Sequence, residues 1–549
     1  MSRLRDMNLN TQFVFEGKLK RNLVIGMVIG AICLAWSLVG DDEYRTRFWT
    51  NWLHNSVFFT GIAFMAMFFL SAQITAFAGW NSVVKRVWEA MSQFMWVGLI
   101  LMGVIVAGVW GHFHHLYHWN DPNVNITNPD GPHFDEILAG KKGFLNPMFF
   151  TLGTIGFLAI WYFWAYKLRQ VSVAQDTQET PSFDYHKKQR KWAASFLPLG
   201  GFLSTVFLWQ SVMSVDPHWY STMFAWYSMV SVWLGAISMT VMLIIFLKSK
   251  GYLEYVTRDH LHDIGKFLFG ISVFWTYLWF DQFMLIWYAN NGEETIYFKE
   301  RMDHYPVLFW GNLLLNFVTP FLILMRNDTK RKFGTMFFVA AIVFFGHWWD
   351  FFGMIKPGAR IAAHEATMLV EENKNGGTHS DTTTGIDHDA STGHEEPATE
   401  TAHVAEAHAD TAAHASEIMH TENATEAEHS EPGHTEAAEA STVHTDHADA
   451  GHADATHGEA AHGEHGDGGH HGDKSFKMGF TVPGIQELGV MIGFLSLFLF
   501  FFFNQLSKVS LVPLRDPYLE ESLHHDTGTN IDGERQLDGD ESGHDHGHH

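Results

Sequence analysis

Ten apolar segments, each long enough to cross a lipid bilayer, limit how this chain can fold more than any other feature. A membrane-crossing helix needs roughly 20 apolar residues, and none of the ten segments carries Lys or Arg near its centre. Because lipid offers no partner to backbone N–H and C=O groups, such segments are expected to be helices. They lie at about residues 22–40, 52–78, 92–114, 146–166, 193–214, 222–247, 265–290, 305–325, 333–353 and 484–504. The sequence therefore predicts an all-α integral membrane protein with about ten transmembrane helices.

The acidic residues are concentrated outside those segments, so the average composition hides the membrane part. The formal net charge is −25, although 47% of the residues are apolar. Residues 361–475 hold 25 acidic and two basic residues, and residues 516–549 are acidic as well. Because the acidic residues are confined to these two regions, they give no indication of a nucleic-acid partner. The remaining, apolar part of the chain is predicted to be surrounded by membrane lipid.

The basic residues predict the orientation of the helices. On the side that would carry both termini lie 24 of the 35 Lys and Arg residues, and cytoplasmic loops are rich in these residues. We therefore expect both termini to be cytoplasmic. The predicted organisation is a cytoplasmic N-terminus at 1–21, helices one to nine at 22–360, an extracytoplasmic insert at 361–475, helix ten at 476–508 and a cytoplasmic acidic tail at 509–549.

Helices two to five and six to nine are predicted to form two four-helix bundles, with helices one and ten flanking them. An offset of 174 residues places Gly61 on Gly235 and Glu89 on Asp263. Four helices are an even number, so two copies of one unit would share their orientation and form a parallel repeat. Two unrelated bundles are the alternative, because four-helix packing is common.

The insert at 361–475 holds 18 of the 36 histidines and shows no hydrophobic period. A segment of this kind cannot bury enough apolar surface to fold alone, so we expect it to be disordered. Its imidazoles are weak candidates for metal binding, the alternative being a solvated low-complexity insertion. No metal site is predicted in the membrane core. The weak candidates are His452, His457, His462, His465, His470 and His471.

The single cysteine, Cys33, excludes several redox centres. One cysteine cannot form a disulfide within the chain, an all-cysteine iron–sulfur site or the Cys-x-x-Cys-His attachment of c-type haem. A b-type haem needs histidines at matching depth on facing helices. His112, His114 and His347 all lie near one end of their helices, and a second haem would lack inner ligands. The chain is therefore expected to bind no redox cofactor.

Histidine and carboxylate side chains cluster where the odd-numbered helices end at the predicted extracytoplasmic face. Ionisable groups at membrane depth are costly, and they mark proton paths or ligand contacts by default. Purely structural roles remain open as the alternative. Asp216 precedes Pro217 and could cap helix six. The histidines could belong to belts of residues at the membrane interface. Asp281 has no capping role. The candidates for a proton path or quinone contact are His112, His114, His115, Asp216, His218, Asp281, His347 and Asp350.

A second set of ionisable residues lies near the predicted cytoplasmic face. Glu89 is near the start of helix three, and Asp263 and Lys266 occupy the equivalent place on helix seven. They are candidates for the inner mouth of a proton path. A structural ion pair with a snorkelling lysine is the alternative.

Three features of the chain together are similar to one family. They are the segment Phe15–Lys20 (FEGKLK), the junction Met213–Tyr227 (MSVDPHWYSTMFAWY) and the one-four-four-one order of helices. The chain resembles the second large membrane subunit (ActF type) of alternative complex III, a bacterial quinol:cytochrome c oxidoreductase. That subunit belongs to the polysulphide-reductase membrane-subunit (NrfD-like) superfamily. The resemblance covers about residues 1–360 and 476–515, and the insert departs from the compact family pattern.

The resemblance implies a subunit of a respiratory complex in the bacterial inner (plasma) membrane. In that complex an iron–sulfur subunit and c-type cytochrome subunits pass electrons from menaquinol or ubiquinol to cytochrome c or a terminal oxidase. A homologous NrfD-like subunit is a further membrane partner. This chain would carry no catalytic redox residue and no cofactor, would anchor the haem and iron–sulfur subunits, and would form a proton path or a quinone contact.

Two other functions are kept as alternatives. A metal-ion transporter with a His-rich loop would need ligands in the middle of the membrane, often on broken helices, whereas the candidates here crowd one face. A purely structural anchor would tolerate alanine at every candidate residue without loss of quinol turnover.

Overall fold

The computed structural model describes residues 9–526 except 40, 41, 43, 132, 133 and 375–480, and it omits the side chains of 369 and 371–374. Within these residues the regular secondary structure is helical apart from two isolated β-bridges, and turns and loops join the helices. Ten helices in this described part of the chain are long and apolar enough to cross a membrane. The predicted all-α fold with about ten transmembrane helices is confirmed.

The ten helices are labelled α1 to α10 in chain order. They are Gly17–Trp36, Thr46–Thr75, Gly79–Gly111, Pro147–Gln175, Phe183–Val215, Thr222–Ser249, Arg258–Ala289, Pro306–Leu324, Phe333–Met368 and Ile485–Leu506.

Helices α1 and α10 pack against each other through glycines four residues apart. A Cβ atom on Gly30 would lie 2.3 Å from the Cα atom of Gly493, and one on Gly26 would lie 2.1 Å from Ser496 Oγ. A Cβ atom on Gly489 would lie 2.2 Å from Cys33 Sγ. As the residue numbers increase along α1, the numbers of the contacting residues decrease along α10. The two helices are therefore antiparallel. Small residues let the two backbones approach closely, as in other membrane helix pairs.

The first and last described segments of the chain lie on the same face of the bundle, which we call the termini face. Leu511 N–H donates to the carbonyl of Thr11 at 2.9 Å, and Gln12 Nε2 donates to the carbonyl of Ser507 at 2.7 Å. The segment after α10 then crosses the bundle, where Asp516 pairs with Lys85 at 2.8 Å and Ser522 Oγ donates to the carbonyl of Trp80 at 2.6 Å. Residues 509–526 of the predicted tail are thus packed onto the helices.

Helices α2 and α6 form the centre of the bundle and cross at their glycines. A Cβ on Gly61 would lie 2.7 Å from Val232, and a Cβ on Gly235 would lie 3.3 Å from Ile62. The two glycines paired by the 174-residue offset therefore meet in reciprocal contacts. Helices α4 and α8 each begin with a proline and each contain a π-helical segment, Leu152–Gly156 and Leu314–Val318. Both observations agree with a parallel repeat.

Helix nine is longer than predicted. Its helical structure runs on to Lys374, so residues 361–374, which were assigned to the insert, are helical. Small and apolar residues such as Ala362, Ala363 and Ala366 are buried there, which gives the helix a packed face beyond its most apolar part. The rest of the predicted insert, with its six candidate metal-binding histidines, lies outside the described residues.

Candidate functional site: a buried polar network beneath an aromatic pocket

Asp350 on α9 is the centre of a buried hydrogen-bond network. Its Oδ1 accepts hydrogen bonds from the Tyr227 hydroxyl and from Asn312 Nδ2, the latter at 2.6 Å. Its Oδ2 accepts from Ser231 Oγ at 2.8 Å and from Trp275 Nε1 at 3.2 Å. A buried carboxylate is stable only when such donors replace its water. Helices α6, α7 and α8 therefore all contribute to holding one carboxylate of α9.

His347, one turn before Asp350, belongs to the same network. Its Nδ1 lies 2.9 Å from Ser231 Oγ and 4.0 Å from Asp350 Oδ2. Ser231 has one hydroxyl hydrogen, and if it donates this hydrogen to Asp350, His347 Nδ1 carries the proton. His347 Nε2 would then be an acceptor, and it is buried without a hydrogen-bond partner among the described residues. The network thus holds an unused acceptor beside the carboxylate.

A π-helical segment of α8 extends the network by one turn. Asn316 lies within that segment, Leu314–Val318, and its Nδ2 donates to Asn312 Oδ1 at 2.5 Å. A Cβ on Gly346 of α9 would lie 2.2 Å from Asn316 Oδ1, so the close approach of α8 to α9 needs glycine there. Single π turns inside α-helices are frequent at functional sites.

A pocket adjoins the network. Its walls come from helices α6, α7, α8 and α9 and from the short helix Gly292–His304. The space between its walls is about 490 Å³, a figure that includes the open mouth of the pocket. Aromatic rings make much of its wall, and Asp350 and Asn312 supply polar groups. The aromatic lining residues are Tyr227, Trp279, Tyr297, Phe298, Tyr305, Phe309 and Trp349.

Arg301, on the short helix, is a buried cation in the pocket wall. Its guanidinium lies 3.3 Å from the centre of the Tyr297 ring, and its Nη1 donates to the Tyr297 carbonyl at 2.9 Å. Its Nε donates to the carbonyl of Gly353 on α9 at 3.4 Å. Burial raises the pKa of Tyr297 to about 12 although Arg301 opposes the shift, so the phenol stays neutral. Arg301 therefore fixes the short helix to α9 beside the pocket.

The predicted capping role of Asp216 is wrong. Helix α6 begins at Thr222 and its N-cap is Ser221, so Asp216 is too far along the chain to cap it. Non-helical residues 217–221 separate Asp216 from the start of the helix. Burial raises the pKa of Asp216, while the charges of Arg301 and His218 act in the opposite direction. Asp216 is thus a half-buried carboxyl group at the face opposite the termini (the opposite face).

The three predicted histidines after α3 have separate surroundings. His112 is exposed and ends the helix with a left-handed backbone (φ 50°). His114 is buried, its Nε2 lies 3.1 Å from the Ile105 carbonyl, and burial lowers its pKa to about 4. His115 Nδ1 lies 2.8 Å from Asp121 Oδ2. The structure brings none of the three to the Asp350 network.

Asp281 also lies outside the network. Its side chain is half-buried, and no side chain in the described part of the chain forms a hydrogen bond or ion pair with it. The adjacent Gln282 lines the pocket instead, because consecutive helical residues point about 100° apart. A role for Asp281 stays a prediction.

The candidates near the termini face are held in ion pairs. Glu89 Oε2 is 2.6 Å from Arg86 Nη1, and Arg86 also pairs with Asp176. Asp263 is 2.6 Å from Lys266 Nζ and 2.7 Å from His525 Nε2. The side chain of Lys266 is 55% exposed, as expected of a snorkelling lysine. These contacts match the structural alternative.

Sequence reasoning missed most of the donors around Asp350. Tyr227, Ser231, Trp275 and Asn312 are not among the residues that the sequence marks as candidates. One signal was available, because Tyr227 and Ser231 are four residues apart on α6 and therefore share a face. Tyr227 is also the last residue of the junction Met213–Tyr227.

No known protein family matches the chain, and no curated protein matches it either. A multi-pass membrane protein with ten candidate spans is what the structure establishes.

Proposed function

We propose that the chain is an integral membrane subunit of a quinol-oxidising respiratory complex, and that its pocket receives the quinol head group. One observation carries the proposal: a carboxylate held by four donors lies at membrane depth in the wall of an aromatic pocket. The resemblance of the junction Met213–Tyr227 to alternative complex III supports it, since this junction supplies Tyr227 to the network.

The pocket has the chemistry that a quinol head group needs. The head group is a flat aromatic ring with two hydroxyl groups, so it requires apolar ring contacts and hydrogen-bond acceptors. Trp279, Phe309 and Trp349 offer the ring contacts, and Asp350 offers acceptor oxygens. Oxidation of a quinol to a quinone releases two protons and two electrons. Asp350 would accept one proton and His347 the other, and the two electrons would pass to a redox group of a partner subunit.

The network is arranged to respond to a proton on Asp350. The neutral carboxylic acid attracts hydrogen-bond donors less than the carboxylate does. The Tyr227 hydroxyl and Asn312 Nδ2 would then be released towards the pocket, where both residues already contribute to the wall. His347, whose Nε2 has no hydrogen-bond partner among the described residues, would be the next acceptor.

Titratable groups continue from the pocket to the opposite face. The charge of Arg301 acts on Asp216, and Asp216 acts on His218 in turn. His218 Nε2 lies 2.6 Å from Asp135 Oδ2, and this hydrogen bond raises the pKa of His218 although burial opposes it. These groups would carry the released proton to the aqueous side.

The resemblance also implies the partners: c-type cytochrome subunits, an iron–sulfur subunit and a homologous NrfD-like subunit. In this proposal the haem c and iron–sulfur clusters belong to those partners, and a menaquinol or ubiquinol is the ligand of this chain. Affinity purification of the tagged chain from its native membrane should recover haem-stained and iron-containing chains.

The test compares Asp350→Asn with Asp281→Asn in the purified complex. Asn keeps the shape of the side chain and removes its proton acceptor, so quinol oxidation in Asp350→Asn should fall by about 100-fold or more, the usual contribution of a general base. Asp281→Asn should retain turnover, because Asp281 lies outside the network. The measurement is quinol-dependent reduction of cytochrome c in proteoliposomes, with subunit composition checked by gel.

Full turnover by Asp350→Asn would refute the assignment of the pocket. Loss of turnover only in Asp281→Asn would move the site to the exposed side of α7. If the purified chain brings no haem or iron with it, the proposed complex is wrong.

A further inference from the structure

We propose that His118, Asp135, His218 and Glu365 form a binding site for a zinc ion at the opposite face of the bundle. The four residues come from four separate parts of the chain. His118 lies in a turn after α3, and Asp135 precedes the short helix Glu136–Lys141. His218 is in the loop between α5 and α6, and Glu365 is on α9.

The ligand atoms are close enough to share one ion. One atom each from His118, Asp135 and His218 lies within 4.8 Å of the others. His218 Nε2 is 2.6 Å from Asp135 Oδ2, and His118 Nδ1 is 3.7 Å from Glu365 Oε2. Ligands of a tetrahedral zinc ion at about 2.0–2.1 Å are roughly 3.3 Å apart. Shifts of about 1–1.5 Å would therefore bring the ligand atoms of His118, Asp135 and His218 to this spacing, and Glu365, beside His118, is the candidate for the fourth ligand.

An unsatisfied nitrogen points to a missing partner. His118 is 6% exposed, and its Nδ1 is buried without a hydrogen-bond partner among the described residues. A buried polar atom of this kind has lost its water without a replacement, which is unfavourable. A metal ion would satisfy the nitrogen directly. The ring centroids of His118 and His218 are 5.6 Å apart, so both imidazoles can reach one ion.

Backbone contacts hold two of the ligands in place. Asp135 Oδ1 accepts a hydrogen bond from Leu138 N–H at 2.8 Å, which caps the short helix and leaves Oδ2 directed at His218. Lys141 Nζ donates to the carbonyls of Pro217 at 2.6 Å and His218 at 3.3 Å. The loop that carries His218 is therefore tied to the helix that Asp135 caps. Such supporting contacts orient the ligands of metal sites.

The donor atoms of the cluster suit zinc, because two imidazoles and two carboxylates form a donor set that zinc accepts.

Metal content of the full-length chain tests the site, with His118→Gln compared with His112→Gln. His112 is an exposed histidine in the same segment and outside the cluster. The detergent-purified proteins are incubated with Zn²⁺, desalted and measured by elemental mass spectrometry. The histidines of 375–480 are the same in every variant, so their zinc is a common background.

We expect His118→Gln to bind one zinc ion fewer than both the unaltered chain and His112→Gln. The same difference should appear with Co²⁺ as an absorption spectrum typical of a four-coordinate ion. Zinc should also raise the Tm of the unaltered chain more than that of His118→Gln, because a ligand stabilises the state that binds it. Equal zinc content in all three proteins would overturn the proposal.

The zinc site would also control proton release, an effect that rests on the proposed function. Zinc bound to His218 would occupy a group placed on the outward route. Zn²⁺ should therefore slow quinol turnover of the unaltered complex and leave His118→Gln less affected. If zinc binds but does not slow turnover, the metal site stands and its effect on proton release is excluded. The Asp350→Asn experiment tests the pocket and does not depend on either zinc result.

Discussion

Glu300 is a single residue whose ionisation is predicted to affect the stability of the fold. Burial raises its pKa from 4.5 to about 7, while Arg301 opposes the shift and Asp216 adds to it. A raised pKa in the folded chain means that ionisation destabilises the fold. This destabilisation is absent below the unfolded pKa, grows as the pH rises from about 4.5 to about 7, and is constant above that range.

Glu300→Gln should therefore raise the Tm at pH 8 more than at pH 5. The gain at pH 8 should be about 1–2 kcal/mol, after allowance for the partial exposure of the side chain. Thermal unfolding in detergent at the two pH values measures the difference. Asp303→Asn, an exposed substitution on the same short helix, is the control. A gain that does not depend on pH would contradict the expectation.

The residues that sequence reasoning found and missed differ in how unusual they are in a membrane helix. Asp350 and His347 stand out because ionisable side chains are rare in apolar segments. Tyr227, Ser231 and Trp275 are ordinary in such segments, so nothing in one sequence marks them as donors. Asp135 and Glu365 lie far apart in the chain, and only the folded structure brings them to the histidines.

The contact between α1 and α10 makes a prediction at the scale of helices. Gly30→Ala would place a methyl group 2.3 Å from the backbone of Gly493, and backbone cannot move aside as a flexible side chain can. The two helices should separate, at a cost of about 1–3 kcal/mol, typical of overpacking. Gly270→Ala on α7, where no atom lies within 4 Å of the new methyl group, is the matched control.

Thermal unfolding of both variants in detergent is the measurement. We expect a lower Tm for Gly30→Ala and an unchanged or higher Tm for Gly270→Ala, because alanine favours helix over glycine. Equal Tm values for the two variants would show that the α1–α10 contact does not stabilise the fold.

The number of helices was predictable but their ends were less so. Length and hydropathy are enough to identify a spanning segment, since the bilayer sets both. Helix α3, however, begins at Gly79 rather than near residue 92. Its first turns carry Lys85 and Arg86, which are buried in ion pairs with Asp516, Glu89 and Asp176. A hydropathy criterion excludes such residues, because their partners lie elsewhere in the chain.

Orientation in the membrane is a prediction at the scale of the whole molecule. The Val14 N–H donates to the Tyr252 hydroxyl at 3.3 Å, so the loop after α6 shares the face of the termini. The distribution of Lys and Arg predicts that this face is cytoplasmic. Gly143 and Glu254 are exposed and lie at opposite ends of the bundle.

Single cysteines introduced in a Cys33→Ala background test this orientation. Gly143→Cys should react with a membrane-impermeant maleimide in intact cells, and Glu254→Cys should react only after the cells are permeabilised. A Cβ at Gly143 has no neighbour within 4 Å, so that substitution should not disturb the fold. The reverse labelling pattern would show that the termini are outside.

The helix pair α1 and α10 also bears on the order in which the spans can assemble. Helix α1 is synthesised well before α10, because Gly30 and Gly493 are more than 450 residues apart in the chain. Until α10 has entered the membrane, the glycine strip of α1 lacks the backbone that packs against it in the folded chain. A chain that ends before α10 would therefore leave this strip without its partner helix.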